Sequence, residues 1–141
     1  VDHLLKRLIC FLGSRPEKAN EALQEVIDIV HRDAARGGVM TLYLPQYYMQ
    51  SSCLKYSAGD PNGAQADLDE AWDIAERGPM RLHMADIHLY RARLFFREKD
   101  YPWESPAADL AAAEKLINEC GYHRRDEELA DAKRAILGVG V

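Results

Sequence analysis

The sequence predicts an all-helical fold with its helices stacked as a two-helix repeat, and three observations predict it. Alanine and leucine supply 35 of the 141 residues, against 13 for valine and isoleucine together and a single threonine, Thr41, a balance that favours helix and is poor for sheet. Stop glycines and first-turn prolines recur along the chain as helix punctuation. Finally, Ala66-Asp67-Leu68-x-x-Ala71-x-x-Ile74 returns 42 residues later as Ala108-Asp109-Leu110-x-x-Ala113-x-x-Leu116. A period of about forty residues, each holding two helices, is the mark of an α-solenoid.

Each element follows from its punctuation. An apolar run at 2–12 reads as a first helix, closed by Gly13, after which Ser14-Arg15-Pro16-Glu17 forms a capping-box pattern opening a second helix over 15–36. Gly37-Gly38 ends it, and a third helix from about 40 runs to Gly59. Asp60 is placed to cap a fourth helix with Pro61 in its first turn. Gly78-Pro79 separates that helix from a fifth, and after an irregular Tyr101-Pro102-Trp103-Glu104 loop, Ser105-Pro106 caps a sixth that closes at Gly121. Asp126 can cap a last helix over about 127–137. The reading is one domain over 1–141, with helical pairs at about 2–36, 40–77 and 79–120 and a capping helix at 127–137. The apolar start at Val1 suggests a segment excised from a longer chain.

Within the repeat, Leu23-x-x-Val26-x-x-Ile29 is a fainter copy of the Leu68 motif, and Arg36-Gly37-Gly38-Val39-Met40-x-Leu42 parallels Arg77-Gly78-Pro79-Met80-x-Leu82. Gly59-Asp60 with Ala64-x-x-x-Leu68 and Ala71 resembles the second half of a tetratricopeptide repeat, with Tyr48 and Ser52 as the aromatic and small contact positions of the preceding helix. Ala92 and Phe96 stand in the next unit where Ser52 and Tyr56 stand in this one. The resemblance implies a right-handed α-α superhelix of about three hairpins plus a C-terminal cap, and it places the first helix of each pair in a concave groove. Gly121-Tyr122-His123-Arg124-Arg125-Asp126 also resembles the end of helical-repeat regions attached to bacterial signalling ATPases.

The fifth predicted helix carries two apolar faces, one of Leu82, Ala85, Leu89, Ala92 and Phe96, the other of Met80, Met84, Ile87 and Leu94. The remaining stripe, His83, Asp86, Tyr90, Arg93 and Arg97, is then expected to face solvent or a ligand. Its counterpart in the preceding unit is Tyr43, Gln46, Gln50, Cys53 and Ser57. Together they suit a peptide partner, with the arginines engaging carboxylates in bidentate fashion, hence an acidic one. The alternative is a solvated face on which Arg93 and Arg97 pair with Asp67, Asp69, Glu70, Asp73 and Glu76.

The expected function is a protein-interaction scaffold using the surface of the odd-numbered helices. The alternative is a regulatory or sensor segment acting within a larger bacterial signalling ATPase or effector, through contact with other domains of its parent chain. A homodimer through an open solenoid end is a further expectation. No enzyme, cofactor or metal is expected. His83-x-x-Asp86 lacks a third ligand, Cys120 and His123 straddle a helix-ending glycine, and the glycine pairs lack the spacing and lysine of a P-loop. A net charge of −5 argues against nucleic acid, and no apolar run reaches the length of a membrane span. Three widely spaced cysteines, Cys10, Cys53 and Cys120, without a C-x-x-C pair read as reduced thiols in the cytoplasm. Trp103 is either a staple over the core or an exposed anchor. Arg124-Arg125 is either a solvated helix approach or a docking pair.

Overall fold

A computed structural model describes residues 16–37 and 40–138. The predicted helix 2–12 and the Gly13-Ser14 punctuation lie outside the described residues, as do Val39 and the last three positions. The described residues are helical, without strands: α1 (Pro16–Ala35), a 3-10 turn (Met40–Tyr43), α2 (Leu44–Ser57), α3 (Pro61–Arg77), α4 (Arg81–Phe95), α5 (Pro106–Cys120), a second 3-10 turn (His123–Arg125) and α6 (Asp126–Leu137). Among them, no helix is long and apolar enough to cross a membrane. The chain divides into two compact units at Ile74, inside α3.

In the N-terminal unit α1 packs against α2 and the 3-10 turn before it. Its inward stripe is Ala19, Leu23, Ile27 and Val30, spaced four, four and three residues apart. The motif Leu23-x-x-Val26-x-x-Ile29 is therefore not the core stripe: Ile29 is 49% exposed. Helix α2 is buried around most of its circumference, through Leu44, Met49, Leu54 and the small residues Ser51 and Ser52. Ser52 can sit inside because its hydroxyl donates to the Met49 carbonyl at 2.6 Å.

The connection from α2 to α3 behaves as its residues dictate. Gly59 adopts φ +86°, which only glycine takes cheaply, so that the Asp60 amide reaches back to the Lys55 carbonyl at 2.9 Å and the Gly59 amide to that of Tyr56 at 3.1 Å. Asp60 then caps α3, accepting from the Gly63 amide at 2.9 Å. On α3, Ala64, Leu68 and Ala71 are fully buried.

In the C-terminal unit α4 packs along α5, and α6 lies against both. Ala85, Leu89 and Ala92 of α4 meet Leu110, Ala113 and Ile117 of α5 and Leu129 and Ala132 of α6 in one cluster, with Leu116, Tyr122 and Ile136 packed against it. Ser105 caps α5, accepting from the Ala108 amide at 3.0 Å, and Gly121 ends it at φ +65°. Two predicted boundaries shift. Pro79 does not open α4: the Met80 amide closes α3 on the Ala75 carbonyl at 2.8 Å, and α4 starts at Arg81. Leu82, predicted to be core, therefore falls in the first turn and is 46% exposed. Asp126 is the first residue of α6 rather than its cap, where with Glu127 and Glu128 it complements the helix dipole.

Candidate functional site

The ten residues of the two predicted partner-facing stripes divide between the two units, and the structure separates them into exposed, Ser57 among them, and buried. In the N-terminal unit, Tyr43 is 53% exposed and Gln46 is half-buried. Gln50 and Cys53, predicted to line the groove, are instead buried, Gln50 to 7% exposure. The physical reason lies in how α2 begins. The 3-10 turn brings Tyr43 and Leu42 to the surface at its entrance, after which the helix passes into the packed interior of the unit. A polar stripe thus starts outside and ends inside.

Beside this entrance, His31 of α1 and Tyr48 of α2 share a hydrogen bond of 2.8 Å with their rings edge to face. Burial pushes the Tyr48 phenol up from its usual range, and the carboxylates of Glu70, Asp67 and Asp28 push the same way, so it stays protonated at neutral pH. Deeper, Lys55 of α2 pairs with the buried carboxylate of Asp67 on α3 at 3.0 Å.

In the C-terminal unit the stripe divides again. Arg93 and Arg97 are exposed and His83 is half-buried, but Asp86 and Tyr90 are only 4% and 8% exposed. Their inward position corrects the expectation of a solvent-facing row. Asp86 is held by residues far along the chain: the Arg125 Nε–H donates to one oxygen at 2.8 Å and the Tyr122 hydroxyl to the other at 3.1 Å. Burial pushes the Asp86 carboxyl up, and Arg125, Tyr122 and the nearby His83 draw it part of the way back. Burial works against the Arg125 charge too, yet the Asp86 carboxylate outweighs it and holds the guanidinium above its ordinary value. Arg125 is therefore neither a solvated residue nor a docking group; Glu128 takes its second contact, at 3.4 Å. Arg124 remains exposed.

A second buried carboxylate, Asp109 of α5, gathers the loop that follows α4. His88 Nδ1 lies 2.7 Å from one oxygen, the Tyr101 hydroxyl donates to the other, and the Arg91 guanidinium stands at 3.8 Å. Burial and Asp109 both raise the Tyr101 pKa, so its phenol stays a proton donor. Trp103 packs edge-on against Phe95 at 5.1 Å and Tyr101 at 5.5 Å, beneath the Arg91 guanidinium at 4.9 Å. Of its two expected roles, the structure gives Trp103 that of a staple.

His83 and Asp86 do not form a free acid–base pair, because Asp86 is engaged by Arg125 and Tyr122. Among the described residues, no group of three or more His, Cys, Asp or Glu side chains is arranged to hold a metal ion. Two features escape sequence reasoning. One is the Asp86–Arg125 pair, whose members are 39 residues apart. The other is Leu42, 55% exposed next to Tyr43 and fractionally the most exposed large hydrophobic residue among those described. Comparison with protein-family models, with curated proteins and with solved structures finds no match for the chain.

Proposed function

We propose that the chain is a non-enzymatic helical-repeat module of the tetratricopeptide type, a right-handed superhelix of about three two-helix units and a cap, that binds a peptide segment of a partner protein in the cytoplasm. Burial of the repeat's small positions supports this architecture: Ser52, Ala64, Ala71 and Ala92 have no exposed surface, as close approach of helices at those positions requires.

The observation that carries the reading is the adjacent pair Leu42 and Tyr43, each more than half exposed at the entrance to α2. Large side chains left outside next to each other are an anchor surface for a partner, since covering them removes apolar area from water and tyrosine adds a polar handle. Gln46, one turn on, extends this patch. The exposed Arg93 and Arg97 of α4 form a separate, basic candidate.

Selection of peptides from a random displayed library on the folded chain tests the proposal. Recovered peptides should lose binding to a Leu42→Ser, Tyr43→Ser variant of unchanged helicity. Peptides lost only with Arg93→Glu, Arg97→Glu would move the site to α4. Recovery of no specific peptide would contradict the module reading.

A further inference from the structure

Asn62 sits where a covalent change can occur without an enzyme. Of the three asparagines, Asn20 and Asn118 each precede glutamate, whereas Asn62 precedes Gly63. Glycine has no Cβ to shield its main-chain nitrogen, which can therefore approach the carboxamide of the preceding asparagine. Asn62 is exposed, and no hydrogen bond among the described residues holds its side chain.

The nitrogen that would attack is restrained. Gly63 lies in the first turn of α3, where a helix leaves its amides without intrahelical partners. Its N–H donates to the Asp60 carboxylate at 2.9 Å, and the Ala64 amide closes the turn on the Asp60 carbonyl at 3.1 Å. A Cβ at Gly63 would stand 3.1 Å from Lys55 Cδ, so the stem of a residue on α2 lies against the same glycine. The electrophile is thus in water, while the nucleophile is held by the cap and backed by the preceding helix. Helical backbone angles also keep the Asn62 side chain from closing a ring on the Gly63 nitrogen, so reaction has to wait for the turn to open.

From this geometry we infer that Asn62 is a deamidation site whose rate is set by the Asp60 cap. The Gly63 nitrogen bonds to the Asn62 side-chain carbonyl carbon, and the carboxamide nitrogen leaves as ammonia with the proton that the Gly63 N–H gives up. Water then opens the resulting succinimide at one of its two imide C–N bonds. Cleavage at the former side-chain carbonyl leaves aspartate, and cleavage at the main-chain carbonyl leaves isoaspartate. Aspartate keeps the turn and adds a negative charge that the helix N-terminus favours. Isoaspartate routes the main chain through the side chain and inserts an extra carbon into the first turn of α3. The Gly63 amide then no longer meets Asp60, and the junction between α2 and α3 loosens irreversibly as the protein ages.

Incubation of the full chain at neutral pH, followed by proteolysis and mass spectrometry of the peptide that contains Asn62, measures the rate through the aspartate and isoaspartate products. A free peptide of residues 57–67 is the unrestrained reference. The folded chain should react at least about tenfold more slowly than that peptide, because only the opened turn reacts. Asp60→Ala should accelerate the folded chain about fivefold, the gain in opened turn expected when an N-cap is lost. Asp60→Ser, which keeps a capping oxygen, should stay slow and so separates the cap from general destabilisation. A folded chain that deamidates as fast as the free peptide, or a rate that Asp60→Ala leaves unchanged, overturns the inference. Equal acceleration by serine and alanine overturns it too, since the protection would then lie outside the cap.

Discussion

Asp67 and Asp109 occupy the same place in the repeated Ala-Asp-Leu motif, and both are buried beside a fully packed leucine. In the N-terminal unit, among the described residues, Asp67 pairs with the side chain of Lys55, whose own surface is one quarter exposed. In the C-terminal unit Asp109 receives His88 and Tyr101, with Arg91 near, and through Tyr101 and Trp103 it ties down the loop after α4. The same sequence motif thus makes a part-buried ion pair in one unit and a hub in the other. What differs is the set of donors: His88 and Arg91 come from α4, and Tyr101 comes from the extra loop at 101–104. An acidic residue beside a core leucine marks where a helix will need a donor from its neighbour, but not how many donors will arrive.

The largest expected effect concerns the other buried carboxylate. Arg125→Met leaves Asp86 buried without its cation and should lower stability by about 3 kcal/mol in urea denaturation, because an uncompensated buried charge is costly. Adding Asp86→Leu should recover most of that loss. Burial raises the Asp86 pKa, and a buried pair of this kind is readily replaced by apolar side chains of similar size. If the double variant is as unstable as the single one, this account of the pair is wrong.

The comparison of the two aspartates gives the next prediction. Asp109→Ala should cost about 2 kcal/mol and release the loop, seen as a rise in tryptophan solvent exposure by fluorescence quenching. Asp67→Ala should cost about 1 kcal/mol, given the partial exposure of Lys55. Equal losses would mean that the extra donors around Asp109 add nothing.

A smaller effect is expected at the start of α3. A Cβ at Gly63 would stand 2.2 Å from Asp60 Oδ2, so Gly63→Ala must displace the capping carboxylate. Alanine's better helix propensity offsets part of that loss, leaving a net destabilisation of about 0.5 kcal/mol in thermal or urea unfolding. Stabilisation instead would show that the Asp60 cap can shift at no cost.

Much of the helix order was legible in sequence, and for physical reasons. Asp60, Ser105, Gly59 and Gly121 act through bonds to residues within five positions, so their roles can be read locally. The candidate site was only partly legible. Helical spacing sorts residues by face but does not say what covers the face. Helical spacing alone puts Asp86 outward, because Tyr122 and Arg125, which hold it inside, are 36 and 39 residues away. Gln50 and Cys53 were misplaced because the 3-10 turn before α2 puts only the first part of their stripe at the surface. Leu82 was misplaced by a two-residue error in where its helix begins.

The central claim is that a partner docks at the entrance of α2 rather than along the arginines of α4. A titration of the isotope-labelled full chain with a selected binding peptide, followed by amide chemical shifts in NMR spectra, tests it directly. The account predicts that shifts concentrate at residues 42–47 and vanish in the Tyr43→Ser variant; shifts concentrated at Arg93 and Arg97, with 42–47 undisturbed, would contradict it.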